Sequence, residues 1–132
     1  MFGYAFLISA AFPAVLSIQC WDNGMGEPVL VEHPRTSFCL YIPSVSGHSD
    51  RQSAISDEED SGLRGIRATF AEGDGTVYAV QSVCMQERYD FRTIFPNTRH
   101  QMKPEFMLRC FCRQDGCNKR TSFEQFLGIR QP

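Results

Sequence analysis

The 132-residue sequence lacks the motifs by which many enzymes are recognised. It has no G-x-S-x-G elbow for a serine nucleophile and no glycine-rich loop for a phosphate. Its three histidines, His33, His48 and His100, are scattered along the chain and suggest no catalytic pair. We therefore expect a protein that is not an enzyme and that needs no cofactor.

Long apolar runs are missing after residue 16, and no charged residue precedes Asp22. The apolar run at residues 2–16 is shorter than the roughly 20 residues of a membrane span. It has the length of a signal-peptide core, and the small Ser17 suits a cleavage site. We expect residues 1–17 to be a signal peptide and residues 18–132 to form one secreted, extracellular domain. No lipid anchor or membrane span is expected in the mature chain. A buried N-terminal helix or strand is the alternative.

Cysteine, in contrast, is abundant for a chain of this length. Because an exported chain folds in an oxidising compartment, six cysteines imply three disulfides, for which fifteen pairings exist. The last three lack the paired C-x2-C spacing of a zinc site, so a zinc centre completed by His100 is disfavoured. The six residues are Cys20, Cys39, Cys84, Cys110, Cys112 and Cys117.

Long stretches with helical periodicity are also absent, and short alternating apolar runs predict a small, disulfide-rich all-β fold. Such runs predict strands at residues 38–42 and 106–112. The alternation of Ile66, Ala68 and Phe70 before a Gly-Asp-Gly turn predicts a hairpin that returns to Val83.

Two further segments have distinctive composition. Residues 44–62 are polar and acidic, which predicts a mobile loop within the domain. The acidic run at 57–60 lacks the glycine turn and the spacing of a calcium loop, so we expect a solvated surface there. After Cys117, the capping-box spacing of Thr121 and Glu124 predicts one short helical turn that packs Phe123, Phe126 and Leu127 on the sheet.

Charge is divided unevenly along the predicted mature chain. Residues 18–74 hold ten acidic and four basic side chains, and residues 75–132 hold five acidic and nine basic ones. A basic excess of four is too small to indicate nucleic-acid binding.

Aromatic and arginine side chains, which dominate protein–protein contacts, predict a partner-binding surface on one segment. Its residues are Tyr89, Phe91, Arg92, Ile94 and Phe95; the alternative is that these aromatics belong to the core.

The pair Cys20-Trp21 directly after the predicted signal, together with the closing C-x4-C-N pattern of Cys112, Cys117 and Asn118, resembles the three-finger superfamily. That superfamily includes snake toxins, lymphocyte-antigen-type modulators and activin-receptor ectodomains. The resemblance implies three antiparallel fingers at residues 21–38, 40–83 and 85–109. It implies the disulfides Cys20–Cys39, Cys84–Cys110 and Cys112–Cys117, and a role for Asn118 as a side-chain clamp on the palm of the domain.

Together these features predict a secreted, non-enzymatic module that binds an extracellular or cell-surface protein as a receptor ligand or modulator. A cystine-rich hormone-like or growth-factor-like precursor, cut at Lys119-Arg120 or after Arg67, is the open alternative. A secreted hydrolase or hydrolase inhibitor is the weakest interpretation.

Overall fold

The part of the chain that the structure describes folds into three successive antiparallel hairpins, with one helix between the second and the third. A computed structural model describes residues 17–44, 49–56, 62–72, 75, 77–95, 103–119 and 122–128. The strands are β1 (Gln19–Asp22), β2 (Val29–Glu32), β3 (Phe38–Ile42), β4 (Arg51–Ile55), β5 (Ser82–Tyr89) and β6 (Glu105–Cys112). The helices are α1 (Leu63–Glu72), α2 (Phe123–Phe126) and a 3-10 turn at Phe91–Thr93. No helix in these ranges is long and apolar enough to cross a membrane.

The second and third hairpins share one four-stranded sheet, in the order β4-β3-β6-β5. The central strands β3 and β6 run antiparallel, with Cys39 opposite Cys112. Strands β1 and β2 form a separate two-stranded sheet. This first hairpin is tied to β4 because the Asn23 N–H donates to the Gln52 carbonyl (3.2 Å) and the Asn23 Oδ1 accepts from the Gln52 N–H (2.8 Å).

The centre of the four-stranded sheet is covered on both faces, and the side chains of β3 and β6 alternate between them. One face, here called the cystine face, carries Cys39, Tyr41, Cys110 and Cys112, and Phe126 of α2 packs on it. The Tyr41 and Phe126 rings stack with centroids 5.2 Å apart. The other face, here called the helix face, carries Phe38, Leu40 and Phe111 under α1. The alternation predicted for residues 38–42 and 106–112 is thus confirmed.

Helix α1 corrects the predicted hairpin at residues 66–83. Leu63, Ile66 and Phe70 are buried on one side of the helix, at the spacing i, i+3, i+7. Ile66 and Phe70 are four residues apart and fit both a strand and a helix, whereas Ala68 between them is exposed, and packing on the sheet decides between the two. Phe70 stacks on Phe38 with ring centroids 5.4 Å apart. The Arg113 guanidinium lies 5.2 Å from the Phe70 ring centre and donates to the Phe70 carbonyl near the helix C-terminus.

Strand β4 corrects the predicted loop at residues 44–62. Residues 51–55 pair with β3 in register, with Gln52 opposite Tyr41. Gln52 is buried, and its side-chain N–H donates to the Asn118 carbonyl (2.5 Å). A polar sequence forms a strand here because β4 pairs with β3 and because Asn23 and Asn118 accept hydrogen bonds from Gln52. Residues 45–48 and 57–61 lie outside the described residues.

The predicted C-terminal helical turn is present as α2. Its N-cap is Ser122 rather than Thr121, and the Ser122 hydroxyl accepts from the Gln125 N–H (3.2 Å). Phe126 is buried, whereas Leu127, which was expected to pack on the sheet, is exposed. Gly128 follows with φ +70°, the left-handed conformation that ends many helices. The predicted class, a small disulfide-rich all-β fold with antiparallel sheets and a short C-terminal turn, is confirmed, and α1 is added to it.

Three disulfides connect the hairpins near the closed end of the domain. Cys20–Cys39 joins β1 to β3, Cys84–Cys110 joins the paired strands β5 and β6, and Cys112–Cys117 closes a short loop after β6. These are the pairings that the three-finger resemblance implies. We refer to this closed end, where the disulfides meet Asn118, as the palm.

Candidate functional site

The predicted partner-binding residues lie together at the far end of the third hairpin, on residues 89–95, here called the tip. Tyr89 ends β5, and Phe91 and Arg92 lie in the 3-10 turn that follows. Ile94 and Phe95 come directly after that turn. The structure therefore brings the five residues into one short segment but gives them different surroundings.

Asp90 organises the tip as the N-cap of the 3-10 turn. Its Oδ1 accepts from the Arg92 backbone N–H (3.3 Å) and from Arg92 Nε (2.8 Å). Its Oδ2 accepts from the guanidinium groups of Arg92 and Arg88. The Thr93 hydroxyl donates to the Asp90 carbonyl (2.9 Å). One carboxylate therefore fixes both the start of the turn and the direction of two arginines.

These contacts lower the pKa of Asp90 to about 2, first through the hydrogen bond from the Arg92 side chain, with further lowering by the Arg92 backbone N–H and by the charges of Arg92 and Arg88. The same hydrogen bond raises the pKa of Arg92. Asp90 consequently remains ionised, and the turn remains capped, until the pH falls toward that value.

A continuous series of contacts on the helix face anchors the tip to the core. The Arg109 guanidinium lies 5.5 Å from the centre of the Phe111 ring and donates twice to the Glu87 carboxylate, at 2.5 and 2.6 Å. The Tyr89 hydroxyl donates to the same carboxylate (3.0 Å). The Tyr89 ring then stacks on Phe91, with centroids 6.1 Å apart. Two of the five predicted contact residues, Tyr89 and Phe91, are thus half-buried and support the turn.

The remaining three predicted residues point outward. Ile94 is 65% exposed and Phe95 is 52% exposed, although both are large and apolar. Arg92 exposes 54% of its side chain while paired with Asp90. The aromatic–arginine segment therefore divides into a supporting half and an exposed half, and neither the contact interpretation nor the core interpretation describes all five residues.

At the palm, Asn118 is fully buried and joins three strands through its side chain. Its Oδ1 accepts from the Trp21 N–H (2.8 Å), and its Nδ2 donates to the carbonyls of Trp21 (2.9 Å) and Leu40 (2.9 Å) and, at longer range, Ser53 (3.4 Å). This is the clamp that the resemblance implies. It fixes the first hairpin to strands β3 and β4.

An open cleft of about 690 Å³ lies beside this clamp, between the first hairpin and the C-terminal residues. The Lys119 ammonium lies 4.6 Å from the centre of the Trp21 ring in a cation–π contact. Asp50 and Glu27 also line the cleft. Its lining combines these charged side chains with the apolar surfaces of Trp21 and Pro28.

Three sulfur atoms of the palm, those of Cys39, Cys112 and Cys117, lie within 4.8 Å of one another. Each belongs to a disulfide, which removes the thiolate that a zinc ion requires. The zinc and calcium alternatives also involve His100 and residues 57–60, which lie outside the described residues, as do residues 1–16 of the predicted signal and Arg120.

Sequence reasoning missed the residues that hold the tip in place. Asp90 carried a usable signal, because aspartate one or two positions before a turn is a common cap. The pairing of Glu87 with Arg109 carried none, since the two residues meet only after the register of β5 and β6 is fixed.

Comparison with known proteins assigns the sequence to a family. The model of the Family of unknown function (DUF5354) matches residues 11–131. A Caenorhabditis elegans relative described as Uncharacterized protein C02B8.3 is 25% identical over 118 residues, which cover 86% of this chain and 84% of the relative. No solved structure matches.

Proposed function

The chain belongs to the Family of unknown function (DUF5354), so its activity has to be argued from its own residues, and we propose that it is a secreted, non-enzymatic module of three-finger type that binds an extracellular or cell-surface protein through the tip. The observation that carries the proposal is the exposure of Ile94 and Phe95 on a turn that Asp90 holds in place.

Two large apolar side chains on a rigid support are what a protein-binding surface requires. Exposed aromatic and aliphatic groups gain free energy when a partner removes them from water. A turn whose shape is already fixed loses little conformational entropy on binding. Arg88 and Arg92 border the pair and offer charged donors to a partner's carboxylates.

Export is the second part of the proposal. The apolar run at residues 2–16 has the length of a signal-peptide core. The three disulfides belong to the chemistry of an oxidising compartment, where such bonds form and persist.

The experiment compares an apolar-to-acidic substitution at the tip with one in the β1–β2 turn. The full chain is expressed in a secretory cell line with an affinity tag, and its binding to intact cells of the source organism is measured by titration. We expect Phe95→Asp to weaken binding at least about tenfold, equivalent to about 1.4 kcal/mol. Met25→Asp is the matched control, because Met25 is a fully exposed apolar residue in the β1–β2 turn.

Equal binding by Phe95→Asp and the parent chain, with a loss for Met25→Asp, would move the interface to the first hairpin. Arg92 is a weaker probe than Phe95, since replacing it also removes the side-chain hydrogen bonds that hold the Asp90 carboxylate in place. Thermal melting of each variant separates a lost contact from a lost fold.

The precursor alternative is less favoured by the packing. Arg67 lies within α1, and proteases cleave extended segments more readily than helices. Cleavage after Arg120 would remove Phe126, which is buried against Tyr41 on the cystine face.

A further inference from the structure

Four of the six cysteines at the palm, Cys20, Cys39, Cys112 and Cys117, are arranged so that a second set of disulfides is within reach. We propose that the bridges Cys20–Cys39 and Cys112–Cys117 rearrange, by thiol–disulfide exchange, to Cys39–Cys112 and Cys20–Cys117. The bridge Cys84–Cys110 takes no part. The palm would then be a thiol-sensitive switch that changes how the first hairpin is fastened.

The bond between Cys39 and Cys112 is favoured by strand register. The two residues are direct partners on the antiparallel strands β3 and β6, and both side chains lie on the cystine face. Direct antiparallel partners have Cα atoms about 4.5–5.5 Å apart, within the range that a disulfide spans. The molecule already contains such a bond, because Cys84 and Cys110 are register partners on β5 and β6.

The bond between Cys20 and Cys117 is favoured by the contacts on either side of it. The Gly116 N–H donates to the Gln19 carbonyl (2.7 Å), one residue before each cysteine. Asn118 exchanges two hydrogen bonds with the Trp21 backbone, one residue after each cysteine. The segments 19–21 and 116–118 therefore run side by side, with the two cysteines facing the same cluster.

Three of the four sulfur atoms already lie close together, and the fourth is bonded to one of them. Those of Cys39, Cys112 and Cys117 lie within 4.8 Å of one another, and the Cys20 sulfur is bonded to that of Cys39. Cys117 is half-buried, whereas Cys20, Cys39 and Cys112 are buried. Cys117 is therefore the entry point for an external thiol.

The reaction conserves atoms and electrons. The thiolate of a small-molecule thiol attacks the Cys117 sulfur, forming a mixed disulfide and releasing the Cys112 thiolate. That thiolate attacks the Cys39 sulfur, which forms Cys39–Cys112 and expels the Cys20 thiolate. The Cys20 thiolate then attacks the Cys117 sulfur, forming Cys20–Cys117 and returning the small-molecule thiol. Two disulfides break, two form, and no net oxidation occurs.

The exchange would alter one connection of the fold more than any other. In the present pairing a disulfide ties β1 directly to β3. In the second pairing β3 is bonded to β6, with which it already shares the sheet, and β1 is bonded only to the loop that carries Asn118. The first hairpin would then be held to the sheet by the Asn118 clamp and the Asn23–Gln52 hydrogen bonds.

Tryptic mapping distinguishes the two pairings. Arg35, Arg51, Arg88, Arg109, Arg113 and Lys119 place the participating cysteines on separate peptides, except that Cys110 and Cys112 share residues 110–113. In the present pairing the Cys20 and Cys39 peptides are linked. In the second, the Cys20 peptide is linked to residues 114–119, and the Cys39 peptide is linked to residues 110–113.

The secreted full-length protein is incubated in a buffer of reduced and oxidised glutathione, quenched by acid and alkylation, and mapped. We expect the second set of linked peptides to rise to at least about one molecule in ten, with Cys84 linked only to residues 110–113. Recovery of the present pairing alone overturns the proposal. So does the appearance of Cys84 linked to other peptides, which indicates general unfolding.

One double variant tests the Cys39–Cys112 bond, and a second is its control. Cys20→Ser with Cys117→Ser leaves Cys39 and Cys112, and we expect no free thiol in the secreted product. Cys39→Ser with Cys117→Ser leaves Cys20 and Cys112, which are bonded in neither pairing, and we expect two free thiols. Free thiols in the first variant overturn the Cys39–Cys112 bond. If that variant is not secreted, mapping of the parent chain decides.

Discussion

The two faces of the central sheet are held by different kinds of interaction. The cystine face combines three disulfides with the Tyr41–Phe126 stack, while the helix face joins Phe38, Phe111 and the buried side of α1 by apolar packing. No disulfide lies on the helix face among the described residues. Disulfides act mainly by restricting the unfolded chain, whereas packing stabilises the folded state. Reduction of the disulfides should therefore destabilise the cystine face, and substitutions that leave a cavity should destabilise the helix face.

The largest expected effect comes from a cavity on the helix face. Phe70 is fully buried and contacts Phe38, so Phe70→Ala should lower the free energy of unfolding by about 3–5 kcal/mol. Urea unfolding followed by circular dichroism measures this loss.

The control is Thr69→Ala, an exposed neighbour whose hydroxyl donates to the Gly65 carbonyl within the same helix. It should cost well under 1 kcal/mol. A loss for Phe70→Ala below about 1 kcal/mol would contradict the packing of α1 on the sheet.

The cystine face was more predictable from the sequence than the helix face. Cysteines and the closing C-x4-C-N pattern are local signals, and the alternation around Cys39 and Cys110 fixes which side chains share a face. Helix α1 was missed because Ile66 and Phe70, four positions apart, fit both the strand period and the helical period. Only its position above Phe38 and Phe111 removes that ambiguity, and the sequence does not encode it locally.

The candidate site shows the same division. The five predicted tip residues form one segment, but which of them are exposed depends on the register that brings Glu87 to Arg109 and on the Asp90 cap. Strand β4 was missed for a related reason. Its residues are polar, and they form a strand because Asn23 and Asn118 accept hydrogen bonds from Gln52 from outside the sheet.

The second prediction breaks the polar part of the cystine face and leaves every disulfide in place. Asn118→Ala removes the acceptor for the Trp21 N–H and the donor for two or three backbone carbonyls. Because a buried group without a partner costs about 1–3 kcal/mol, we expect a total loss of about 2–4 kcal/mol. Unfolding in urea under oxidising conditions gives the value.

Asn23→Ala is the comparison for Asn118→Ala. The Asn23 side chain is half-buried and, among the described residues, its amide bonds to the Gln52 N–H and the Asp50 carbonyl, so its removal should cost about 1 kcal/mol. Similar losses for the two variants would mean that the clamp contributes no more than an ordinary side-chain hydrogen bond.

The smallest expected effect is a gain of stability on the helix face. Gly65 lies inside α1, is exposed, and has no atom within 4 Å of the position that a Cβ would take. Gly65→Ala should therefore raise the free energy of unfolding by about 0.5–1 kcal/mol, because alanine loses less backbone entropy in a helix. Gly128→Ala is the matched control: Gly128 has φ +70°, a conformation that costs an alanine about 1–2 kcal/mol, so the sign should reverse. If α1 stabilises the sheet independently of the disulfides, the gain for Gly65→Ala should persist after Cys20→Ala and Cys39→Ala remove one bridge. A gain that disappears in that background would mean that the helix face depends on the cystine face for its structure.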